Sequence, residues 1–146
     1  MPFEAYTKDA WKGDLFVGPR SETIFLVESR FQKEIRGFGP DAAAKIMNDI
    51  RDFQNAWYRG VTDDELYALY NFKPYKGVHR PYRLYQIYVG PNRRNLSYRA
   101  VVMFYYDGQR ACWIYAFKKQ RQSEPDEVNL AIARADVYWE SIKGEK

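Results

Sequence analysis

The sequence predicts an α+β domain with an antiparallel meander at its centre. Three observations predict it. Three β-favouring runs follow closely on one another: "YRLYQIYV" (82–89), "YRAVVMFYY" (98–106) and "ACWIYAF" (111–117). A helical stripe precedes them, with Ile46, Ile50, Phe53 and Trp57 spaced for one face of a 3.6-residue period. A second stripe closes the chain. The expected order is β-α-α-β-β-β-α.

Element by element, residues 1–22 read as an N-terminal extension, with Gly13, Gly18 and Pro19 as breakers, and residues 23–146 as a single domain. "TIFLVES", Thr23 to Ser29, reads as a short buried strand. "GPDAAAKIMNDIRDFQNAWYRG" reads as a helix entered through Pro40 and stopped by Gly60. "TDDELYALYN" reads as a short helix with Thr62 at its N-cap and Glu65 completing a capping box. "FKPYKGVHRP", with two prolines and a glycine, reads as a loop. The polar stretch "GPNRRNLS" joins the first two meander strands, and Asp107-Gly108 marks a two-residue hairpin between the last two. Ser123 is the expected N-cap of the last helix, with Pro125 in its first turn and Glu124, Asp126 and Glu127 complementing its dipole. Its stripe is Val128, Ala131, Ile132, Ala135, Tyr138, Trp139 and Ile142.

Composition narrows the function classes. The chain has 146 residues, 46% of them hydrophobic, which is enough for a real core. Its net charge is +4, a sign that favours polyanionic partners. One cysteine, Cys112, allows no intrachain disulfide and no cysteine-based zinc site, and fits a reducing, cytoplasmic setting. One histidine, His79, excludes a histidine-rich metal site. Neither a signal peptide nor a membrane span is expected. No P-loop, Gly-x-Ser-x-Gly or Gly-x-Gly-x-x-Gly occurs. Cys112 reads as a core thiol.

Cations gather in the middle and late chain: Lys73, Lys76, Arg80, Arg83, Arg93, Arg94, Arg99, Lys118, Lys119 and Arg121. Tyr75, Tyr82, Tyr85, Tyr88, Tyr98 and Tyr115 interleave with them. Cations that track phosphates and rings that stack on unpaired bases suit single-stranded nucleic acid; solvated strand faces with strand-favouring tyrosines are the plainer alternative. A two-residue turn at Asp107-Gly108 sets Tyr106 against Gln109 and Arg99 against Ala116. Lys118 then becomes the diagonal neighbour of Arg99 on the face shared by Val101, Met103, Cys112 and Ile114. Two cations there either snorkel to water or hold a phosphate between them. RNA cleavage needs no protein nucleophile, because the RNA's own 2′-hydroxyl attacks. The protein supplies phosphate binding, charge stabilisation and proton transfer, the last from His79, a tyrosine or a lysine.

Three stretches carry a family resemblance: "FKPYKG…YRLYQI", "YRAVVMFYYDGQRACWIYAFKK" and "KKQRQSEPDEVNLAIARADVYW". Through them the chain, from about Ile24 to Trp139, resembles the RelE/HigB-like toxins of bacterial type II toxin–antitoxin pairs, in particular the HigB-type, phage-related branch. The resemblance implies a RelE/ParE-like fold and a metal-independent mRNA endoribonuclease that works in the ribosomal A site, without cofactor, and inhibits translation. It also implies neutralisation by a cognate antitoxin, a small helix-turn-helix protein. By resemblance Arg99 contacts the scissile phosphate, Lys119 with Lys118 stabilises the transition state, and Arg121 holds a flanking phosphate. Lys73, Lys76, Arg80, Arg93, Arg94 and Tyr88 would form the RNA footprint. Where RelE carries strand lysines that help proton transfer, Gln86 and Tyr88 stand here, and His79 is the candidate acid or base. The competing class is a non-catalytic RNA- or partner-binding module on the same fold. The topoisomerase-poisoning ParE branch is disfavoured by the "FKK…P" pattern.

Overall fold

A computed structural model describes residues 20–75, 80–91, 98–118 and 124–143. One turn of 3-10 helix, Arg20–Glu22, leads into strand β1 (Ile24–Val27) and then three helices, α1 (Ser29–Gly37), α2 (Pro40–Tyr58) and α3 (Asp63–Tyr70). Strands β2 (Lys73–Pro74), β3 (Arg83–Val89), β4 (Tyr98–Tyr105) and β5 (Arg110–Lys118) follow, and α4 (Glu124–Ile142) closes the chain. The five strands form one mixed sheet in the order β1-β5-β4-β3-β2. β1 runs parallel to β5, and the other neighbours are antiparallel.

The fold class is α+β as predicted, with two added elements. Helix α1 was not expected. Its stretch "SRFQKEIRG" is short and charged and offers only Phe31 and Ile35 to the core, one helical turn apart. Glu28 starts it, its carboxylate accepting from the Arg30 amide at 3.1 Å. β2 lies within the segment read as a loop, where Lys73 pairs with Gln86 and Pro74 with Tyr85. The first strand also differs from its reading: it covers only Ile24–Val27 and is exposed, with Ile24, Leu26 and Val27 open to solvent. It lies at an edge of the sheet, and Ser29 already belongs to α1.

Helices α2 and α3 follow the predicted pattern. Ile46, Ile50, Phe53 and Trp57 are all buried. The Thr62–Glu65 capping box forms, Thr62 Oγ1 accepting from the Glu65 amide at 3.2 Å. Gly90, at φ +89°, ends β3; a Cβ there would stand 2.9 Å from the Tyr98 ring. Its amide donates to the buried Asp49 carboxylate at 2.8 Å, tying α2 to the strand end.

The sheet separates two cores. On one face α1, α2 and α3 cover Tyr85, Ile87, Val89, Ala100, Val102, Phe104, Ala111 and Trp113. On the other, α4 contributes Ala131, Ala135 and Trp139 against Tyr82, Leu84, Val101, Met103, Tyr105, Cys112 and Ile114.

The β4–β5 hairpin corrects the register. The ladder closes at Tyr105–Arg110, and the turn spans residues 106–109. Tyr106, Asp107 and Gly108 all have positive φ, at 53°, 57° and 84°. Asp107 and Gly108 are residue types suited to that conformation; Tyr106 is not, and its ring is held by Tyr105 and Trp139. Register then shifts by one between Val102 and Val101, where Ile114 is the extra residue of a β-bulge. Arg99 therefore faces Phe117, not Ala116, and Lys118 faces Tyr98.

Distant side chains hold the backbone of β5 at the bulge. β1 covers β5 only as far as Trp113, whose carbonyl accepts from the Glu28 amide at 3.0 Å. Beyond that point the edge of β5 needs partners. Arg134 of α4 donates to the Ile114 carbonyl at 3.1 Å, and Glu34 of α1 accepts from the Ala116 amide at 3.0 Å. Arg134 and Glu34 are themselves ion-paired at 2.5 Å.

Candidate nucleic-acid interface

Alternation along β3 and β4 puts Leu84, Gln86, Tyr88, Arg99, Val101 and Met103 on the α4 face of the sheet. Lys73, directly opposite Gln86, joins that face from β2 and is exposed. α4 meets the sheet at Tyr82, Tyr105, Tyr106, Ile114 and Tyr115. Gln86, Tyr88 and Arg99 lie toward the opposite end of the strands from the β4–β5 turn.

Arg99 is the centre of this end. It is 0% exposed, and its guanidinium carbon lies 3.6 Å from the centroid of the Tyr88 ring, its direct cross-strand partner. A cation over a tyrosine face is attracted by the ring quadrupole, the more so away from water. Nη1 also donates to the Tyr98 carbonyl at 3.4 Å. Gln86, equally buried, accepts from the Tyr75 hydroxyl at 3.3 Å.

Lys118 does not join Arg99. The bulge turns it to the α1–α3 face, where it is exposed and its ammonium lies 5.7 Å from the Tyr98 ring centroid. The expected diagonal pair fails because a simple count from the turn omits the extra residue. Arg80, expected in the RNA footprint, is engaged by α4. It makes a two-pronged contact with Asp136 of α4, Nε to Oδ1 at 2.9 Å and Nη2 to Oδ2 at 3.2 Å, while the Tyr82 hydroxyl donates to the same carboxylate. Burial works to raise the Asp136 pKa, but the hydrogen bonds from Arg80 and Tyr82 outweigh it and hold the carboxyl below its ordinary range. Lys76, His79, Arg93, Arg94, Lys119 and Arg121 lie outside the described residues.

Sequence reasoning missed Asp136, Glu34 and Arg134, which anchor the strands around this face. Arg134 alone left a trace, as the helical arginine of the "AIARADVYW" stretch. Burial pushes the Cys112 thiol up to about 12, as befits a core residue. Burial also raises the phenols of Tyr82, Tyr105, Tyr115 and Tyr138, Tyr105 to about 12, so none of the four is a base at neutral pH. Among the described residues no group of three or more His, Cys, Asp or Glu is placed to hold a metal ion, and no helix is long and apolar enough to cross a membrane. Of the two cations on the described part of this face, Lys73 is open to solvent and Arg99 is buried.

No protein-family model, curated protein or solved structure matches the chain.

Proposed function

We propose that the chain is a ribosome-dependent mRNA endoribonuclease, the toxin of a RelE/HigB-like toxin–antitoxin pair with a RelE/ParE-like fold, acting in the cytoplasm. The observation that carries the reading is Arg99, an arginine taken wholly out of water with its guanidinium over the Tyr88 ring. Burying a cation costs desolvation, and a bound phosphate offsets that cost where an apolar side chain would otherwise serve the sheet better.

In this reading Arg99 grips two oxygens of the scissile phosphate as that site opens to RNA. The 2′-hydroxyl attacks the adjacent phosphorus, the bond to the 5′-oxygen breaks, and a 2′,3′-cyclic phosphate and a 5′-hydroxyl result. Lys119 and Arg121 carry charge stabilisation and flanking contacts on the strength of the resemblance, and His79 moves the proton. Lys73 guides the strand from the sheet edge. Tyr88 supports Arg99. Lys118, turned to the opposite face, has no part in the phosphate site. A helix-turn-helix antitoxin would cover the basic surface.

The test is cleavage of a translated mRNA in a reconstituted system, with mapping of the new ends. Wild type is expected to cut. Arg99→Met and Lys119→Ala are expected to lose on the order of 10²-fold or more, as removal of a charge-stabilising donor does elsewhere. A wild type that neither cuts translated mRNA nor arrests growth ends the reading. The second reading, a non-catalytic RNA- or partner-binding module, draws on the engagement of Arg80 by Asp136. It expects RNA or protein binding with no new ends.

A further inference from the structure

Helix α1 puts three cations in solvent and no free acid beside them. Arg30, Lys33 and Arg36 follow one another at three-residue intervals, and all are exposed. That spacing keeps successive side chains adjacent on the helix surface. The one carboxylate within the helix, Glu34, is taken by Arg134 and by the Ala116 amide. Glu28, at the N-cap, is held by the Arg30 amide and the Ser29 hydroxyl. Among the described residues none of the three cations makes an ion pair.

The helix leads this row to Lys118. The Glu28 amide donates to the Trp113 carbonyl, and Glu34 accepts from the Ala116 amide, so α1 runs along β5 toward the Lys118 end. Six helical residues rise about 9 Å and three strand residues about 10 Å, so helix and strand stay level. The far end of α1 is fixed independently. Its C-cap, Phe38, meets the Tyr98 ring at 5.0 Å between centroids, and Tyr98 is the direct cross-strand partner of Lys118. The bulge turns the exposed Lys118 to this side, its ammonium 5.7 Å from the same Tyr98 ring. Arg30, Lys33, Arg36 and Lys118 thus form one row, roughly 12 Å long by helix rise and one further strand step.

We propose that this row binds the phosphate backbone of double-stranded RNA. One strand of a nucleic-acid duplex carries a phosphate about every 3.4 Å of its axis, so the row spans roughly three or four of them. A regular ladder of cations on a rigid helix matches that fixed spacing; a single strand has no fixed spacing and is held by exposed rings. The exposed positions of α1 are Ser29, Arg30, Gln32, Lys33, Arg36 and Gly37, with no ring among them. An acidic protein helix would need apolar anchors between its charges. The two apolar residues of α1, Phe31 and Ile35, are both buried in the core. The row lies across the sheet from Arg99, so it holds a second stretch of nucleic acid and not the strand being cut. That the duplex is RNA rests on the function proposed above; the backbone contact does not.

Fluorescence anisotropy of a labelled RNA duplex of about 16 base pairs, titrated with the full chain over a salt series, tests the proposal. Wild type is expected to bind, with log Kd rising linearly with log salt. The triple variant Arg30→Gln, Lys33→Gln, Arg36→Gln is expected to weaken binding on the order of tenfold and to flatten the salt slope by about one for each cation lost. Lys118→Gln is expected to flatten it by about one more. Thermal melts should not move, because all four positions are exposed. Arg59→Gln removes an exposed cation at the end of α2, near the β4–β5 turn, and is expected to change neither Kd nor slope. Arg99→Met is expected to keep duplex binding, so a failed cleavage reaction and a failed duplex contact read separately. A wild type that does not bind the duplex overturns the proposal. So does a triple variant that binds like wild type, or an Arg59→Gln that flattens the slope as much as Arg36→Gln. A labelled polyglutamate peptide that binds as tightly as RNA and is lost in the triple variant overturns it in favour of an acidic protein. Equal binding of a DNA duplex of the same sequence supports the backbone contact and overturns its assignment to RNA.

Discussion

Over one face of the sheet, rings meet rings: Trp57 stacks on Phe104 at 4.9 Å, Phe72 on Tyr85 at 4.4 Å, Phe53 stands edge-on to Trp113, and Phe25 edge-on to Trp57. Over the other, α4 meets the strands through an apolar seam of Ala131, Ala135 and Trp139 bordered by polar contacts. These are Arg80 and Tyr82 with Asp136, Tyr115 with Glu127, and Arg134 with Glu34. Both faces bury their strands, yet they do so with different physics. The ring face is held by non-directional area burial, and a lost atom there is a lost contact. The α4 face depends on directed contacts to groups that would otherwise be orphaned. A cation such as Arg99 belongs on the second face, where polar geometry is already specified.

The comparison can be broken most severely at Trp57. It is fully buried, packs on four rings among the described residues and donates from Nε1 to Thr23, which in turn bonds the Gly108 carbonyl. Trp57→Ala is expected to cost about 3–5 kcal/mol in urea denaturation, from cavity and lost contacts together. On the α4 face, Arg134→Met removes a donor to the Ile114 carbonyl and leaves Glu34 without its cation. About 1–3 kcal/mol is expected, and combining it with Glu34→Gln should cost less than the sum of the two. A strictly additive pair would show that the bulge does not depend on their joint contact.

The smallest effect is a pH dependence confined to the polar face. The Asp136 carboxyl is depressed in the folded chain, so the unfolded chain binds this proton more readily. Its contribution is therefore complete above the ordinary carboxylate range and is lost as pH falls through the depressed value. Asp136→Asn is expected to melt slightly below wild type at neutral pH and to converge with it in acid. The partners are two-fifths exposed, which keeps the difference small. Melts at a series of pH values check it, and curves that stay parallel into acid would show that the ion pair contributes nothing.

The parts legible in the sequence are those set by neighbours a few positions apart. The α2 face, the Thr62 cap and the α4 stripe repeat with the helical period, and each forms as read. Alternation likewise put Tyr88 and Arg99 on one face. α1 escaped because a helix with two apolar residues scarcely differs from a charged loop until β5 is there to receive them. β1 was read as buried because its four apolar residues resemble an interior strand, and nothing local marks an edge. The face of Lys118 and the Arg80–Asp136 pair escape a local reading for one reason: Glu34, Arg134 and Asp136, which shape their surroundings, lie far from them in the chain.

The bulge at Ile114 has a consequence for how this strand can change over time. β5 has nine residues where β4 has eight, so it holds one more than its ladder uses. Deleting that residue restores simple alternation and leaves Tyr98 against Lys118 and Arg99 against Phe117. Length can thus vary by one at this point without altering the pairing beyond it, at the cost of the Ile114 side chain in the α4-face core. Between a chain with the spare residue and one without it, positions counted from the turn disagree by one beyond Trp113, while positions counted back from the strand's end agree. In β5 the reliable origin for matching cations is the far end of the strand.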